Sequence, residues 1–289
     1  MEIINTIEQV NVTIKDLKNK NKTIGFVPTM GALHKGHTSL FDKARELSDI
    51  TIASIFVNPT QFGPTEDYNK YPRNLENDIA IASKHYIDYV FVPSTLEIYP
   101  VNTQTTININ KLTDVFEGKL RPGHFEGVGL VLIKLFNIIK PDFVFLGQKD
   151  YQQTLVVKQI VKDLNIGIKV IVSPTIRLAS GVAISSRNIY LTDNELQQAD
   201  ILFRAMQSAK DVIEKGERDI NNINDAIRNV LITNKNVKID YASIAMADDL
   251  TMPSVFQGGD NAVLLLAVYL GNTRLIDNLL ITFPDNAKK

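Results

Sequence analysis

Four times between residues 23 and 164 the chain passes from a short β-branched and aromatic run to an apolar stripe at helical spacing, and a fifth such run follows. The runs predict strands at about 23–28, 50–57, 89–93, 142–146 and 168–172, with helices at about 36–48, 75–86, 125–139 and 150–164. Strands separated by helices cannot pair as hairpins, so the pattern demands a mostly parallel sheet with helices on both faces, an α/β fold. The last helix shows the pattern: Val157, Ile160, Val161 and Leu164 share a stripe that Lys158, Lys162 and Asp163 avoid. Gly167 closes that unit.

After Ser173-Pro174 the alternation stops. A polar crossing, "TIRLASGVAISSRN", leads to helical stretches at about 193–215 and 220–233. Two strand-like runs come next, "VKIDYASIAMAD" and "NAVLLLAVYLGNTRLIDNLLI", the second broken at Gly271-Asn272 as a hairpin would be. The expected division is 1–175, an α/β domain, and 176–289, a smaller α+β domain.

With 289 residues and 44% apolar composition, both parts have enough material for a core. The 31 basic residues nearly balance the 32 acidic ones, so no overall positive field draws the chain to nucleic acid or an anionic membrane. The longest apolar stretch, Ala262 to Leu270, is too short to span a bilayer, and "MEIINTIEQV" lacks the basic start and apolar run of a signal peptide. Cysteine is absent, which removes disulfides, thiolate metal sites and cysteine nucleophiles, and fits a reducing cytoplasm.

Within this frame the chemistry-bearing residues gather at strand-to-helix junctions. "TMGALHKGHTSL", residues 29–40, holds two of the four histidines, His34 and His37, with Gly31 and Gly36 beside them. Helix N-termini favour anions, glycine allows close backbone approach, and imidazole adds donors, so a phosphate is the natural guest. The plainer alternative is that both histidines cap or pack the helix start. A zinc site would need further ligands, and His85 and His124 lie in unrelated segments.

Four more stretches follow. "FVNPTQFGPTEDYNKYPR" offers Asn58 and Gln61 for a small substrate's hydroxyls and carboxylate, against the reading of an ordinary loop. In "RPGHFEGVG", Arg121 suits a carboxylate or phosphate and His124 precedes a helix, against a surface arginine and a cap. "FLGQKDYQQ" places Lys149 within reach of a triphosphate, lets backbone approach at Gly147, and sets Asp150 and Gln153 on one face. "ISSRN" supplies Ser185, Ser186 and Arg187 for pyrophosphate oxygens; as a serine nucleophile it lacks the G-x-S-x-G elbow.

Together "PTMGALHKGH", "IFVNPTQFG", "RPGHFEGV", "GQKDYQQ" and "SSRN" closely resemble, in content and order, the pantoate–β-alanine ligase (pantothenate synthetase) family, and the resemblance spans essentially the whole chain. H-x-G-H alone would suggest only the broader nucleotidyltransferases with a Rossmann-like sheet. The resemblance implies condensation of pantoate with β-alanine through a pantoyl adenylate, with ATP consumed, Mg2+ riding mainly on its phosphates, and a cytoplasmic homodimer. It places Met30, Gly31, Ala32, Leu33, His34, Lys35, Gly36 and His37 around ATP, with His37 as proton donor and His34 on the phosphates. It implies that Gly147, Gln148, Lys149 and Asp150 hold ribose and phosphates, and that Ile176, Ile184, Ser185, Ser186 and Arg187 complete the ATP site. Gln61 and Gln153 look like pantoate contacts, Gln61 also serving β-alanine, while Asn58, Arg121 and His124 join the substrate set. The C-terminal domain would close over this site.

The chain departs from the family at Ile184, where Met is frequent, and at Asn77, which thins an acidic run and leaves protein ligands to Mg2+ unassigned. Rival readings are another H-x-G-H adenylyltransferase, a non-catalytic nucleotide sensor, and an aminoacyl-tRNA synthetase, which would need an RNA-binding domain and a lysine-rich loop that "ISSRN" lacks.

Overall fold

The computed structural model describes residues 1–64 and 66–285. They form two compact units, one comprising Met1–Gln148 and Gln152–Pro174, the other Lys149–Tyr151 and the chain from Thr175 onward. No helix among the described residues is long and apolar enough to cross a membrane.

The first unit is built on six parallel strands, β1 (Glu2–Ile4), β2 (Ile24–Thr29), β3 (Ile50–Ile55), β4 (Tyr89–Phe91), β5 (Phe143–Gly147) and β6 (Lys169–Ser173). Their order is β1-β4-β3-β2-β5-β6. Helices α1 (Ile7–Asn19), α2 (Lys35–Leu47), α3 (Leu75–Lys84), α4 (Thr95–Ile98), α5 (Phe116–Leu120), α6 (His124–Ile139) and α7 (Tyr151–Asp163) join them. The strands alternate between two cores, as a sheet covered on both faces must. Ile24, Phe26, Ile52, Phe91, Val144 and Leu146 pack with Val10, Ile14 and Leu17 of α1 and with Val128, Leu132, Leu135 and Ile139 of α6. Their neighbours Val27, Ala53, Val90 and Phe145 face Leu40, Phe41 and Ala44 of α2 and Ala82 of α3. Each fully buried ring, such as Phe26 or Phe41, stabilises the fold by about 1.5–3 kcal/mol.

The predicted strands and helices appear within a few residues of their expected ends. Four elements go beyond them, since β1, α1 and the short helices α4 and α5 lie in stretches the sequence reading leaves unassigned. The chain order reverses between β2 and β5: β3 and β4 lie to one side, β6 to the other. At such a switch point the loops leaving adjacent strands part and open a crevice at their carboxyl ends.

In the second unit, α8 (Asp193–Gln198), α9 (Ile201–Glu214) and α10 (Ile220–Leu231) accompany an antiparallel sheet of β7 (Val237–Met246), β8 (Asn261–Leu270) and β9 (Thr273–Thr282). Strand order is β7-β8-β9, and Leu270 pairs with Thr273 across a two-residue turn at Gly271-Asn272. Ala205, Met206, Ala209 and Ile213 of α9 and Ile223, Ile227 and Leu231 of α10 pack on Ala242, Ile244, Leu264, Leu266 and Val268. The helix expected over 193–215 is interrupted at Ala199 and Asp200. There Thr192 caps a short first segment, accepting from the Glu195 amide while its own amide donates to the Glu195 carboxylate.

Candidate active site

Strand β2 ends at Thr29, and residues 30–34 bend sharply into α2. Gly31 (φ +79°) and Ala32 (φ +51°) are both left-handed, a conformation glycine accepts freely and alanine only when held. The holder is Asp78 of α3, 1% exposed. Its Oδ2 accepts from the Ala32 amide at 2.9 Å and its Oδ1 from the Leu33 amide at 2.7 Å. A side chain at position 31 would press into that carboxylate, its Cβ 2.8 Å from Oδ2. Thr29 ties the start of the bend to β3, donating to Ser54 O at 2.7 Å and accepting from the Gly31 amide at 3.2 Å.

The two histidines are the cap of α2. The Gly36 amide donates to His34 Nδ1 at 3.1 Å and the His34 amide to His37 Nδ1 at 3.3 Å, a reciprocal box built from imidazoles. Their ring centroids stand 4.1 Å apart. Capping, offered by the sequence as the plain alternative, is therefore real, and it has a chemical consequence. A neutral ring that accepts at Nδ1 carries its proton on Nε2, so both rings are set as Nε2–H donors at a helix N-terminus. Gly36 is glycine because the His34 ring covers it, with Cε1 2.9 Å from where a Cβ would sit.

Beside β2, β5 runs in register with Phe26 opposite Val144. Extending that register sets Gly147 level with Thr29 at the carboxyl edge. A Cβ on Gly147 would meet no protein atom within 4 Å. Packing therefore does not explain this glycine.

After β3, a 3-10 turn at Pro59–Gln61 carries Asn58 and Gln61. Asn58, 1% exposed, is fully committed within the protein. Its Nδ2 donates to Gln61 Oε1 and to Gly127 O, each at 3.1 Å, and its Oδ1 accepts from Tyr99 Oη at 2.9 Å and Thr60 Oγ1 at 3.0 Å. Through its bond to Gln61 Oε1, Asn58, which the sequence offers as a substrate contact, also orients Gln61. With Oε1 so engaged, Gln61 turns its Nε2 donor toward Met30, 3.2 Å from Sδ, bringing two predicted site residues together.

Arg121 and His124 likewise face protein groups. Arg121 grips Glu66 through Nε (2.7 Å) and one terminal nitrogen (2.8 Å), while its other terminal nitrogen donates to His124 Nε2 at 3.1 Å. His124 Nδ1–H donates in turn to Gln61 O at 2.8 Å. Burial, followed by the Arg121 charge, pushes His124 down to about 4, so the ring is neutral and fills both roles. Burial alone would raise Glu66, but the bonds and charge of Arg121 outweigh it and hold the carboxyl below its usual range. Of the glutamines opening α7, Gln152 is buried, accepting from the Glu117 amide and donating to Leu112 O and Val115 O. Gln153, the expected pantoate contact, is half-buried one position on.

Gln148 belongs to the first unit, and the second holds Lys149, Asp150, Ile176 and Ile184 to Arg187. Lys149 Nζ lies 3.6 Å from Asp150 Oδ1. The Ile184 amide donates to Ile176 O at 2.9 Å, which joins the two apolar residues expected in the ATP site. Ser185 caps the turn Ser186–Tyr190; its hydroxyl accepts from the Arg187 amide while its own amide donates to Asn188 Oδ1 at 2.7 Å. Asn188, Asp78 and Tyr99 are absent from the residues chosen on sequence. Asp78 hid in an ordinary-looking helical acid run, whereas Asn188 sat in the open as the third residue after a serine cap.

A profile of the family described as Pantoate-beta-alanine ligase matches residues 2–280. The chain is 47% identical to the pantothenate synthetase of Caldicellulosiruptor saccharolyticus over 97% of its length and 99% of the relative's. It is 49% identical to that of Clostridium botulinum over 96% and 98%. Among solved structures, pantothenate synthetase from Thermus thermophilus superposes with a TM-score of 0.90 at 37% identity, covering 96% of this chain and 99% of that one. The pantoate-beta-alanine ligase of Francisella tularensis, complexed with beta-gamma ATP and beta-alanine, gives 0.79 at 38% identity and 97% coverage of both.

Proposed function

Since the chain belongs to the pantoate-beta-alanine ligase family, and so joins pantoate to β-alanine at the expense of ATP, we propose that it does so in two steps through an acyl adenylate. In the first, a carboxylate oxygen of pantoate attacks the α-phosphorus and pyrophosphate departs. In the second, the β-alanine amine attacks the acyl carbon, AMP departs, and the amine releases a proton. A carboxylate accepts no amine until AMP is its leaving group, so alignment and phosphate stabilisation are what the protein must supply.

The observation that carries this assignment is the imidazole cap at the switch point, braced by Asp78. It presents the positive end of a helix and the Nε2 side of two imidazoles to a polyphosphate, with charge growth on the leaving group met by His34, His37 and Lys149. Met30 to His37 and Gly147 to Asp150 take the nucleotide, Ile176 and Ile184 the adenine, and Ser185, Ser186 and Arg187 the phosphates. Gln61 donates from Nε2 to pantoate, and Gln153 joins it. Asn58, Arg121 and His124 act by holding Gln61 from its side chain and its carbonyl.

Mg2+ fits as a companion of the triphosphate. Among the described residues no three histidine, aspartate or glutamate side chains converge as a cage, Asp78 is taken up by two amides, and Mg2+ in such sites keeps water and phosphate oxygens as ligands. When bound it would neutralise charge on the departing pyrophosphate. A cytoplasmic homodimer completes the proposal, and sedimentation tests its stoichiometry.

The deciding experiment is isotope exchange. Labelled pyrophosphate should enter ATP only when pantoate is present, and AMP should accumulate once β-alanine is added. Exchange without pantoate, or AMP transferred to a phosphorylated acceptor, would overturn the assignment in favour of another adenylyltransferase; binding of ATP with no exchange would favour a sensor.

A further inference from the structure

Residues 149–151 belong to the C-terminal unit although their neighbours on both sides, Gln148 and Gln152, belong to the N-terminal one. Hydrogen bonds to buried groups fasten them there. Asn278 of β9, 1% exposed, donates from Nδ2 to the Lys149 carbonyl at 2.8 Å. Tyr151 donates from its hydroxyl to the carbonyl of Ala247, just past β7, at 2.7 Å.

Asn278 is itself immobilised. Its neighbour Asp277, 3% exposed, receives both terminal nitrogens of Arg177 at 2.6 and 2.8 Å, and Arg177 also donates to Asn278 O at 3.1 Å. The Asn278 amide closes the ring of contacts by donating to Asp277 Oδ1 at 2.7 Å. The Arg177 guanidinium in turn lies over the Phe203 ring, 4.9 Å from its centroid. A buried amide seated on a bidentate ion pair has one orientation, and supports of this kind fix the groups that do chemistry. Neither Asn278 nor Tyr151 has another part in the ligation described above.

We propose that Asn278 and Tyr151 are positioning residues that hold Lys149 on the C-terminal sheet in the place from which its ammonium takes up the departing phosphates. The C-terminal unit then supplies this phosphate ligand in a preset position, and the pair of half-buried Arg177 with buried Asp277 keeps it set. The inference rests on Lys149 being a phosphate ligand, and the test separates the two claims.

Pantoate-dependent pyrophosphate exchange is measured, at enzyme concentrations high enough to follow slow variants, for Lys149→Ala, Asn278→Ala, Tyr151→Phe and the two tether variants combined with Lys149→Ala. Each tether variant alone should slow exchange by about tenfold with the KM for pantoate unchanged, as expected for a misplaced transition-state ligand. In the Lys149→Ala background neither should slow it further, because there is no longer an ammonium to misplace. An equal loss on top of Lys149→Ala overturns the proposal, as does unchanged exchange in either tether variant. Should Asn278→Ala fail to fold, Tyr151→Phe, which deletes one oxygen, decides. Wild-type exchange by Lys149→Ala alone sinks the phosphate-ligand reading and this proposal with it, whereas slow Lys149→Ala beside unaffected tethers sinks the proposal only.

Discussion

At His34 one ring caps a helix and, in the proposed reaction, also donates to a phosphate, and the atoms that would serve the two can be separated. Nδ1 caps α2 by accepting the Gly36 amide, while the neutral ring's proton sits on Nε2. Asparagine reproduces an acceptor near Nδ1, and is a better cap than most residues, but has nothing at Nε2. His34→Asn should therefore leave the thermal midpoint nearly unchanged while slowing pyrophosphate exchange by about 10²–10³, the usual cost of one lost transition-state donor. Retained exchange would mean the ring is a cap and nothing more. Asp78 is the opposite case, a residue that touches no reacting atom yet sets the bend. Asp78→Ala strips two amides of their acceptor, which should lower the unfolding free energy by about 2–4 kcal/mol. Urea titration checks this, and an unmoved midpoint would show that the left-handed turn at Gly31 and Ala32 needs no brace.

Among elements, the informative contact is α6 on the 3-10 turn at Pro59–Gln61. A Cβ at Gly127 would run into the Thr60 carbonyl, so the glycine lets the helix lie directly on the backbone that carries Gln61. Gly127→Ala should cost about 1–3 kcal/mol from overpacking and, by displacing Gln61, raise the KM for pantoate more than that for ATP; equal effects on both substrates would place the damage elsewhere. How far such elements can be read from sequence depends on the range of the forces that make them. The helices around Phe41 and Val157 were legible because their apolar stripes repeat every turn, and the hairpin at Gly271-Asn272 because its turn residues are local. Helix α1 carries signals of the same kind, a Thr6–Gln9 capping box ahead of Val10, Ile14 and Leu17, and is legible by the same local rule. The histidine cap was visible for a related reason, since His34 and His37 meet across one turn. Asp78 was not, because its partners lie 45 and 46 residues away and nothing local distinguishes it from Glu76 beside it. Nor could spacing show that the Asn58 side chain meets Tyr99 and Gly127, 41 and 69 residues away.

For the whole molecule, the buried charges of the two units respond to acid in opposite senses. In the N-terminal unit the folded state holds His124 at about 4 against a usual value of 6.5, with burial and then Arg121 as the causes. Between those values the unfolded chain binds the proton that the folded chain refuses, so stability is intact above pH 6.5 and falls as pH drops toward 4, by about 3 kcal/mol in all. Glu66, held below its usual range by Arg121 despite burial, extends the loss to lower pH. In the C-terminal unit burial raises Asp277, which Arg177 only partly offsets. There the folded state takes up its proton first, so this group adds stability as pH falls through its raised value toward 3.8. Hydrogen exchange at the amides of Val144 to Leu146 in β5 and of Leu264 to Leu266 in β8 reads the two cores separately. Lowering pH from 7 to 4 should, after correction for intrinsic exchange, reduce protection in β5 well before β8, and His124→Gln should flatten much of the β5 slope. Parallel loss in both strands would show that the two cores open as one, and that His124 is not where acid first acts.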